Sequence, residues 1–337
     1  MRMAKWVAMV ASVLAVAAAT TQAAEKERVT FGVGAAAGAS VYLQVDIAKA
    51  LGYFEQEGLD AQLQHFRGGA VAGAALVGGS IEVSANAIDH VIKAKREGKE
   101  LRMILSFTHL PGTPMVVNVK HRNEIKAPKD LKGRPVGVTA PGSATDLLTR
   151  FVLWKEGIKA DEVKIIGVGT NTMPPALEND QVHAAMGVDP WITHLVKRGK
   201  AYILVDFRTE KDTRAVFGGP YQLTGILARQ DVIERRAEMI QRVANAMVRA
   251  NRWMAANPVE KWAETLPADL VGDKATWVES MKASKEMFTA DSLPTKEGVM
   301  NVLKAFEVTG QIPDATKLNP DGLIDTRFVR KALEKYR

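Results

Sequence analysis

The chain has 337 residues, of which 47% are hydrophobic, and it contains no cysteine. This length accommodates about two domains with a large buried core, and the cysteine count excludes disulfides, thiolate metal sites and a lipid-anchored cysteine. The formal net charge of +7 is modest, and the densest run of cations is interrupted by acids, which argues against a nucleic-acid partner.

The first 24 residues have the pattern of an export signal. Arg2 and Lys5 precede an apolar run at residues 6–19, and small residues follow it. This arrangement predicts a secretory signal cleaved after Ala23 or Ala24, and the run is shorter than the roughly 20 residues that span a bilayer. Cleavage would remove two cations and lower the charge from +7 to +5. We therefore expect a mature protein free in the periplasm of a double-membraned bacterium.

From residue 25 to about residue 109, the hydrophobic pattern alternates between strands and helices. It predicts strands at 29–33, 59–66, 81–85 and 102–107, with helices at 42–51, 70–77 and 87–96 between them. Strands that alternate with helices indicate parallel pairing and right-handed crossovers.

A second series follows a break at Pro111, Gly112 and Pro114. It predicts strands at 115–119, 135–139, 164–168 and 184–188, with helices at 143–156 and 174–179. Another break at residues 218–220 precedes a strand at 221–228, and the remainder is helical. One of these helices carries an apolar stripe from Ile240 to Met254, which indicates core packing.

Two α/β series separated by a break predict a two-lobed α/β protein. We assign lobe one to residues 25–109, lobe two to 110–218, and a return to lobe one with carboxyl-terminal helices to 219–337. The two crossovers, near 107–114 and 218–221, would form a hinge. Because open α/β sheets bind ligands beyond the carboxyl ends of their strands, the ligand should lie in the cleft between the lobes.

Polar residues at the predicted strand ends are candidate ligand contacts. Arg67 and Gly68 follow the second strand, where the guanidinium suits a sulfonate or carboxylate and the glycine permits close backbone approach. Asn86, Asn171 and Asp189 follow three other strands. We expect these residues to face the cleft, although an exposed Arg67 is equally compatible with the sequence.

Further candidates lie at a helix start and in the crossovers. Ser143 and Thr145 open the helix after residue 139, where free backbone N–H groups and two hydroxyls suit an anion, and Ser143 also suits an N-cap. Trp191 and Tyr221 offer an apolar lining, and His109 is a weaker candidate in the first crossover. The histidines are scattered without ligand spacing, so no metal site is predicted.

A glycine- and alanine-rich loop at residues 32–38 resembles a relaxed dinucleotide fingerprint. That fingerprint requires an acid at the end of the second strand, whereas Asp60 lies at the beginning of this strand and Arg67 at its end. No serine elbow, thiol nucleophile or metal motif indicates an enzyme. We therefore predict a binding protein without catalytic residues or cofactor, with a nucleotide-cofactor enzyme as the alternative.

Several blocks resemble a known family. Residues 40–43, which include Ser40 and Tyr42, the turn Leu-Gly-Tyr-Phe-Glu-Gln-Glu-Gly-Leu-Asp at 51–60 and Asp-Leu-Lys-Gly at 130–133 occur in order and at family spacing. Together they resemble the alkanesulfonate, taurine and nitrate binding proteins of ABC importers, a family that includes binders of thiamine-precursor pyrimidines. Asp189-Pro190-Trp191 resembles a family element that reaches the ligand cleft, but Val188 replaces the preceding aromatic and makes taurine doubtful.

The resemblance implies a type II-like periplasmic binding protein fold and a function. The expected function is the capture of a small anionic organic solute, sulfonate- or carboxylate-like, and its delivery to an ABC permease in the inner membrane. Ser40 and Tyr42 join the candidate ligand contacts on this basis. We expect a monomer without a nucleic-acid partner, and a neutral thiamine-precursor pyrimidine is the alternative ligand.

Overall fold

The structure, a computed structural model, describes residues 25–337. The predicted export signal lies outside these residues. Within them, no helix combines the length and apolar character needed to cross a membrane.

The first part of the chain forms most of lobe one, in which strands and helices alternate as predicted. Its elements are β1 (Glu27–Val33), α1 (Leu43–Ala50), α2 (Tyr53–Gln56), β2 (Leu59–His65), α3 (Gly69–Val77), β3 (Val83–Ala87), α4 (Asp89–Arg96) and β4 (Leu101–Ser106).

The middle of the chain forms lobe two. Its elements are β5 (Met115–Asn118), β6 (Pro135–Val138), α5 (Ala144–Lys155), β7 (Lys164–Gly167), α6 (Met173–Glu178), β8 (Ala184–Met186), α7 (Trp191–Lys197), β9 (Ala201–Val205) and α8 (Glu210–Phe217). The last three of these elements were not predicted from the sequence.

The remainder returns to lobe one with one strand and then becomes helical. Its elements are β10 (Thr224–Arg229), α9 (Gln230–Arg235), α10 (Ala237–Ala256), α11 (Val259–Thr265), α12 (Ala268–Val271), α13 (Lys274–Ala283), α14 (Lys296–Val308) and α15 (Arg327–Lys335). The predicted apolar stripe of α10 is buried, and this helix packs on α1, α2 and α15.

Each lobe contains one five-stranded sheet. The strand order is β2-β1-β3-β10-β4 in lobe one and β7-β6-β8-β5-β9 in lobe two. The prediction of parallel pairing is correct for β1 with β2 and β3, and for β6 with β7 and β8. It is wrong for β5 and β10, which are antiparallel to both of their neighbours.

The two antiparallel strands share a position in the topology. Each is the first strand after the chain crosses from the other lobe. It is therefore not connected by a helix to a preceding strand of its own sheet at that point. The right-handed helical crossover that enforces parallel pairing therefore does not apply to these two strands.

The connections between the lobes pair with each other. Tyr221 N–H, in the second connection, donates to the His109 carbonyl in the first at 2.9 Å. A third segment joins them, because His109 N–H donates to Met287 O and Thr289 N–H donates to Phe107 O, both at 3.0 Å. The region between the lobes thus includes a segment from the carboxyl-terminal third of the chain.

Candidate ligand-binding site

A cavity lies between the lobes at the carboxyl ends of β1, β3 and β6, where ligands of open α/β sheets bind. Both lobes and both connections contribute to its wall, which consists of Gly34, Ala35, Val41, Tyr42, Gly69, Asn86, Ala87, Thr113, Thr139, Ser143, Ala144, Thr145, Thr170, Val188, Leu223 and Thr224.

The cavity is small and its lining is uncharged. Its volume of about 30 Å³ accommodates roughly two water molecules, since one water requires about 10–15 Å³ of such space. A ligand larger than a small inorganic ion therefore requires this lining to open, through movement of side chains or a small change in the separation of the lobes. None of the lining residues is an acid, a lysine, an arginine or a histidine.

Three hydroxyls cluster on the lobe-two side. Ser143 Oγ donates to Ala140 O at 2.7 Å, and Thr139 Oγ1 donates to Ser143 Oγ at 3.0 Å. Thr145 Oγ1 accepts from Thr139 N–H at 3.0 Å and lies 2.8 Å from Ser143 Oγ. Since the protons of Ser143 and Thr139 are engaged, Thr145 is the donor in its 2.8 Å contact with Ser143 Oγ, and a ligand in the cavity can replace Ser143 as the acceptor of this proton.

The first turn of α5 adds backbone donors to this side. Ser143 is its N-cap residue but makes no side-chain capping bond, because its hydroxyl turns to Ala140. The N–H groups of Ala144 and Thr145 have no acceptor within residues 25–337. Unpaired N–H groups and the helix dipole favour negative charge at this position.

Lobe one presents a second helix start to the same cavity. Gly69 opens the nine-residue helix α3, and the N–H groups of Gly69 and Ala70 also lack an acceptor in the described part of the chain. Two helix N-termini from different lobes therefore border one cavity.

Asn86 has a fixed orientation beside this helix start. Its Nδ2 donates to Gly69 O at 2.9 Å, and its Oδ1 accepts from Ala87 N–H at 2.9 Å and from the Tyr42 hydroxyl at 3.5 Å. A Cβ at Gly34 or Gly69 would lie 2.8 or 2.7 Å from Asn86 Oδ1, so both glycines are needed for this position. One N–H of the amide remains for a ligand.

Tyr42 remains a phenol at neutral pH. Burial and the nearby Asp89 carboxylate raise the pKa of Tyr42, since both disfavour the phenolate. Thr113 Oγ1 adds a further group to the cavity wall, because it is buried without a hydrogen-bond partner among residues 25–337.

Direct hydrogen bonds between the lobes surround the cavity. Ser40 N–H donates to Asp189 O at 2.9 Å, and Thr170 donates through both N–H and Oγ1 to Arg67 O at 3.1 Å. These bonds use backbone oxygens, so the lobes contact each other closely around the cavity.

A charged side chain also spans the lobes. Lys93 Nζ, on α4, donates to the Gly142 carbonyl before α5 and lies 3.3 Å from Asp89 Oδ2. Asp89 is buried, so Lys93 compensates its charge while contacting the other lobe.

Four of the predicted contacts line the cavity. These are Tyr42 and Asn86 from lobe one and Ser143 and Thr145 from lobe two. Gly68 lies beside the cavity, where a Cβ would be 3.3 Å from lobe two.

Other predicted contacts lie around the cavity or outside it. Arg67 and Ser40 contact lobe two through backbone atoms, while the Arg67 side chain is exposed and Ser40 Oγ is buried without a partner in the described chain. Asn171 is exposed. None of these three side chains belongs to the cavity lining.

The aromatic and histidine candidates also lie elsewhere. Trp191 lines a separate groove that includes Leu270. Tyr221 is buried against Phe217, with ring centroids 4.5 Å apart, and His109 participates in the backbone pairing of the connections.

Asp189 is buried in an ion pair. Its Oδ2 accepts from Arg208 Nη1 at 3.0 Å and from Ser284 Oγ at 2.9 Å, and its Oδ1 accepts from Thr193 N–H at 2.9 Å. Although burial opposes it, hydrogen bonding to Asp206 and the charge of Asp189 raise the pKa of Arg208. All donors to this carboxylate therefore come from the chain itself.

Several lining residues were missed by the sequence reasoning. Thr139 directly follows β6, so the strand-end rule that identified Asn86 would also have identified it. Thr113 and Thr224 lie at the ends of the two connections. No local pattern distinguishes these threonines from ordinary loop residues.

The glycine-rich loop does not lead directly into a helix. A 3₁₀ turn at Ser40–Tyr42 follows it, and α1 begins only at Leu43. A dinucleotide fingerprint requires its glycines to open the helix that binds the pyrophosphate. Gly34 and Ala35 instead form part of the cavity wall.

The chain is similar to proteins of one family. A family model described as NMT1/THI5 like matches residues 41–261. A solved structure from Bordetella bronchiseptica RB50 is 34% identical, with a TM-score of 0.87, and the match covers 93% of this chain and 98% of that chain. A curated Brucella abortus protein, described as a binding protein, is 25% identical over 76% of each chain.

More distant structures share the fold. The alkanesulfonate-binding protein SsuA from Xanthomonas axonopodis pv. citri, bound to MOPS, has a TM-score of 0.64 at 21% identity, with 92% and 99% of the two chains covered. The periplasmic nitrate-binding protein NrtA from Synechocystis has a TM-score of 0.70 at 13% identity, with 92% and 89% covered. The predicted two-lobed periplasmic binding protein fold is therefore confirmed.

The same fold also occurs in an enzyme. The desulfurization enzyme DSZB has a TM-score of 0.59 at 16% identity, with 93% of this chain and 100% of that chain covered. The fold alone consequently does not separate binding from catalysis, and the argument must come from the residues of the cavity.

Proposed function

The chain belongs to the NMT1/THI5-like family, and on this premise we propose that it is the periplasmic solute-binding component of an ABC importer. It captures a small anionic organic solute, sulfonate- or carboxylate-like, in the cavity between the lobes and delivers it to a permease in the inner membrane.

The observation that carries this proposal is the convergence of two helix N-termini. α3 from lobe one and α5 from lobe two each present two unpaired N–H groups beside the cavity. Asn86 Nδ2 and the Thr145 hydroxyl add two side-chain donors to these four N–H groups. Such a set of donors fits an oxyanion, which accepts hydrogen bonds without donating any.

The absence of a cationic side chain from the lining is compatible with an anion. Helix N-termini bind phosphate, sulfate and carboxylate groups through backbone N–H groups and the helix dipole. Because both helices must approach the ligand, only the closed arrangement makes all these contacts, and binding would shift the population toward it.

The cavity chemistry supports binding over catalysis. Its lining includes hydroxyls and one amide but no histidine, carboxylate or amine that would serve as a general base. The Ser143 hydroxyl donates to a backbone carbonyl rather than to a base. The names of SsuA and NrtA, which describe binders of sulfonates and nitrate, agree with an anionic ligand.

The uncharged lining also supports a second candidate, a neutral thiamine-precursor pyrimidine. Hydroxyls, an amide and backbone N–H groups can all bind the ring nitrogens of such a ligand. The two candidates differ in the formal charge of the bound molecule.

The test begins with native mass spectrometry of the purified mature protein to identify any co-purified solute. Calorimetry with nitrate, taurine, longer alkanesulfonates, small carboxylates and an aminopyrimidine would then rank the classes. For an anionic ligand we expect Thr145→Val to weaken binding by about tenfold or more, because a charge-assisted hydrogen bond contributes about 1.5–3 kcal/mol.

Arg67→Ala is the matched comparison, since the Arg67 side chain is exposed and outside the cavity lining. We expect its affinity to stay within about twofold of the wild type, because exposed charges contribute little. Preferential binding of the pyrimidine would select the second candidate. An equal affinity of Thr145→Val and wild type for every ligand would remove the Thr145 hydroxyl from the site.

A further inference from the structure

Three side chains of the types that bind metal ions meet at the end of lobe two that faces away from the cleft. His121 lies in the turn after β5, while Asp180 and His183 lie between α6 and β8. Because the cavity lies at the carboxyl ends of β6 and β8, and His183 directly precedes β8, this cluster is separate from the proposed solute site.

The three side chains are close together. His121 Nε2 lies 2.8 Å from Asp180 Oδ1, and the rings of His121 and His183 stack with centroids 3.8 Å apart at an interplanar angle of 27°. One nitrogen from each ring and one carboxylate oxygen lie within 4.8 Å of one another.

Each imidazole also has a buried atom without a partner. His121 Nδ1 and His183 Nδ1 are both inaccessible and make no hydrogen bond within the described chain. Buried polar atoms in folded proteins almost always have a partner, and an exception points to a water, an ion or a functional role. Two exceptions on adjacent rings beside a carboxylate point to a shared partner.

We propose that His121, Asp180 and His183 bind one divalent transition-metal ion, with zinc as the best-fitting ion. Two imidazoles and one carboxylate form a common zinc ligand set, and water completes a tetrahedron. Bonds of about 2.0–2.1 Å place the ligand atoms about 3.3 Å apart. All three side chains are on turns, so rotation of the stacked rings can bring them to that separation.

A neighbouring polar side chain holds one of the three proposed ligands in position. Asn118 Nδ2 donates to Asp180 Oδ1 at 3.2 Å and to the Leu177 carbonyl at 2.7 Å. Such outer groups orient metal-binding imidazoles and carboxylates. The ion would join the turn after β5 to the turn before β8 and so stabilise lobe two without contacting the cleft.

The test is calorimetric titration of the tag-free mature protein with zinc chloride, together with thermal unfolding with and without zinc. We expect one zinc per chain and a higher Tm with zinc. His183→Ala and the conservative Asp180→Asn should each weaken zinc binding by about tenfold or more. The d–d absorption of added cobalt would report the coordination directly.

His65→Ala is the matched control, because His65 Nε2 also lies near a carboxylate, 3.4 Å from Asp46 Oδ1, but this pair is not part of the His121 cluster. Its zinc affinity should equal that of the wild type. Circular dichroism of the zinc-free variants verifies that they fold. Absence of stoichiometric zinc binding, or equal zinc binding by Asp180→Asn and wild type, would overturn the proposal whatever the cleft binds.

Discussion

At the scale of single residues, the buried pair of Asp189 and Arg208 connects three parts of the molecule. Asp189 follows β8, Arg208 precedes α8, and Ser284, which also donates to Asp189, follows α13. Asp189 is completely buried, so its charge depends on these donors. The backbone oxygen of the same residue accepts from Ser40 of lobe one.

We predict that Asp189→Asn destabilises the ligand-free protein. The substitution keeps the shape but leaves Arg208 buried with one carboxylate, that of Asp206, and breaking a buried pair costs about 3 kcal/mol. Urea unfolding of the mature protein without ligand measures this loss. The sequence analysis expected Asp189 to face the cleft, and its three donors from the chain instead favour a loss of stability.

Glu210→Gln provides the control for this prediction. Glu210 pairs with Arg214 on the surface, where both side chains are 55% exposed, and such pairs contribute less than about 1 kcal/mol. If Asp189→Asn unfolded at the same urea concentration as Glu210→Gln, the buried pair would not stabilise the fold.

At the scale of elements, β10 occupies the tightest position in the sheet of lobe one. It lies between β3 and β4, and its register shifts between Ile226 and Leu227. A Cβ at Gly225 would lie 2.0 Å from the Leu105 carbonyl oxygen. Since that oxygen belongs to the backbone, it cannot rotate away as a flexible side chain would.

We predict that Gly225→Ala destabilises the protein by about 3 kcal/mol, because overpacking forces backbone atoms apart. Chemical denaturation measures the free energy of unfolding. Gly322→Ala is the control, since a Cβ there meets no atom within 4 Å, and its effect should be below about 0.5 kcal/mol. Similar stability of the two variants would contradict the close approach of β10 to β4.

The regular elements of lobe one were predictable because period-two strands and 3.6-period helices alternate there over long segments. The helices α7 and α8, with seven and eight residues, offer few positions for periodicity to act on, so α4 of eight residues was predicted whereas these two were missed. The edge strand β9 follows directly after α7 and was missed with it. The antiparallel direction of β5 and β10 depends on the chain leaving one lobe and entering the other, which periodicity does not encode.

The site was predictable only in part, because a strand-end position fixes the backbone but not the side chain. The strand-end rule identified Asn86, and the predicted helix start identified Ser143 and Thr145; all three belong to the cavity lining. Asp189 occupies an equivalent position, but its carboxylate turns toward Arg208, which lies 19 residues later in the chain. No local pattern reveals such a partner.

At the scale of the whole molecule, the carboxyl-terminal helices contact both lobes. α10 packs on α1 of lobe one, while α13 packs on α7 and α14 packs on α5 of lobe two. Relative motion of the lobes must therefore change the contacts of α13 and α14 as well as the two connections. Gly68 lies where the two lobes approach each other across the cleft.

The closed arrangement leaves little room for a side chain at position 68. A Cβ there would lie 3.3 Å from Ala140 Cβ and from the backbone of Thr139, both in lobe two. The φ of Gly68 is 179°, an extended value that any residue adopts. A larger side chain thus fits lobe one without backbone strain but obstructs the approach of lobe two.

We predict that Gly68→Val prevents full closure and lowers the affinity for the solute identified by mass spectrometry more than tenfold, while the Tm without ligand changes little. Small-angle scattering at saturating solute should show compaction of the wild type but a larger radius of gyration for the variant. Ala74→Val adds the same kind of volume at an exposed position of α3 and should close normally. Because the added methyl groups act only when the lobes meet, equal compaction of Gly68→Val and wild type would show that the ligand-bound protein does not reach the arrangement described here.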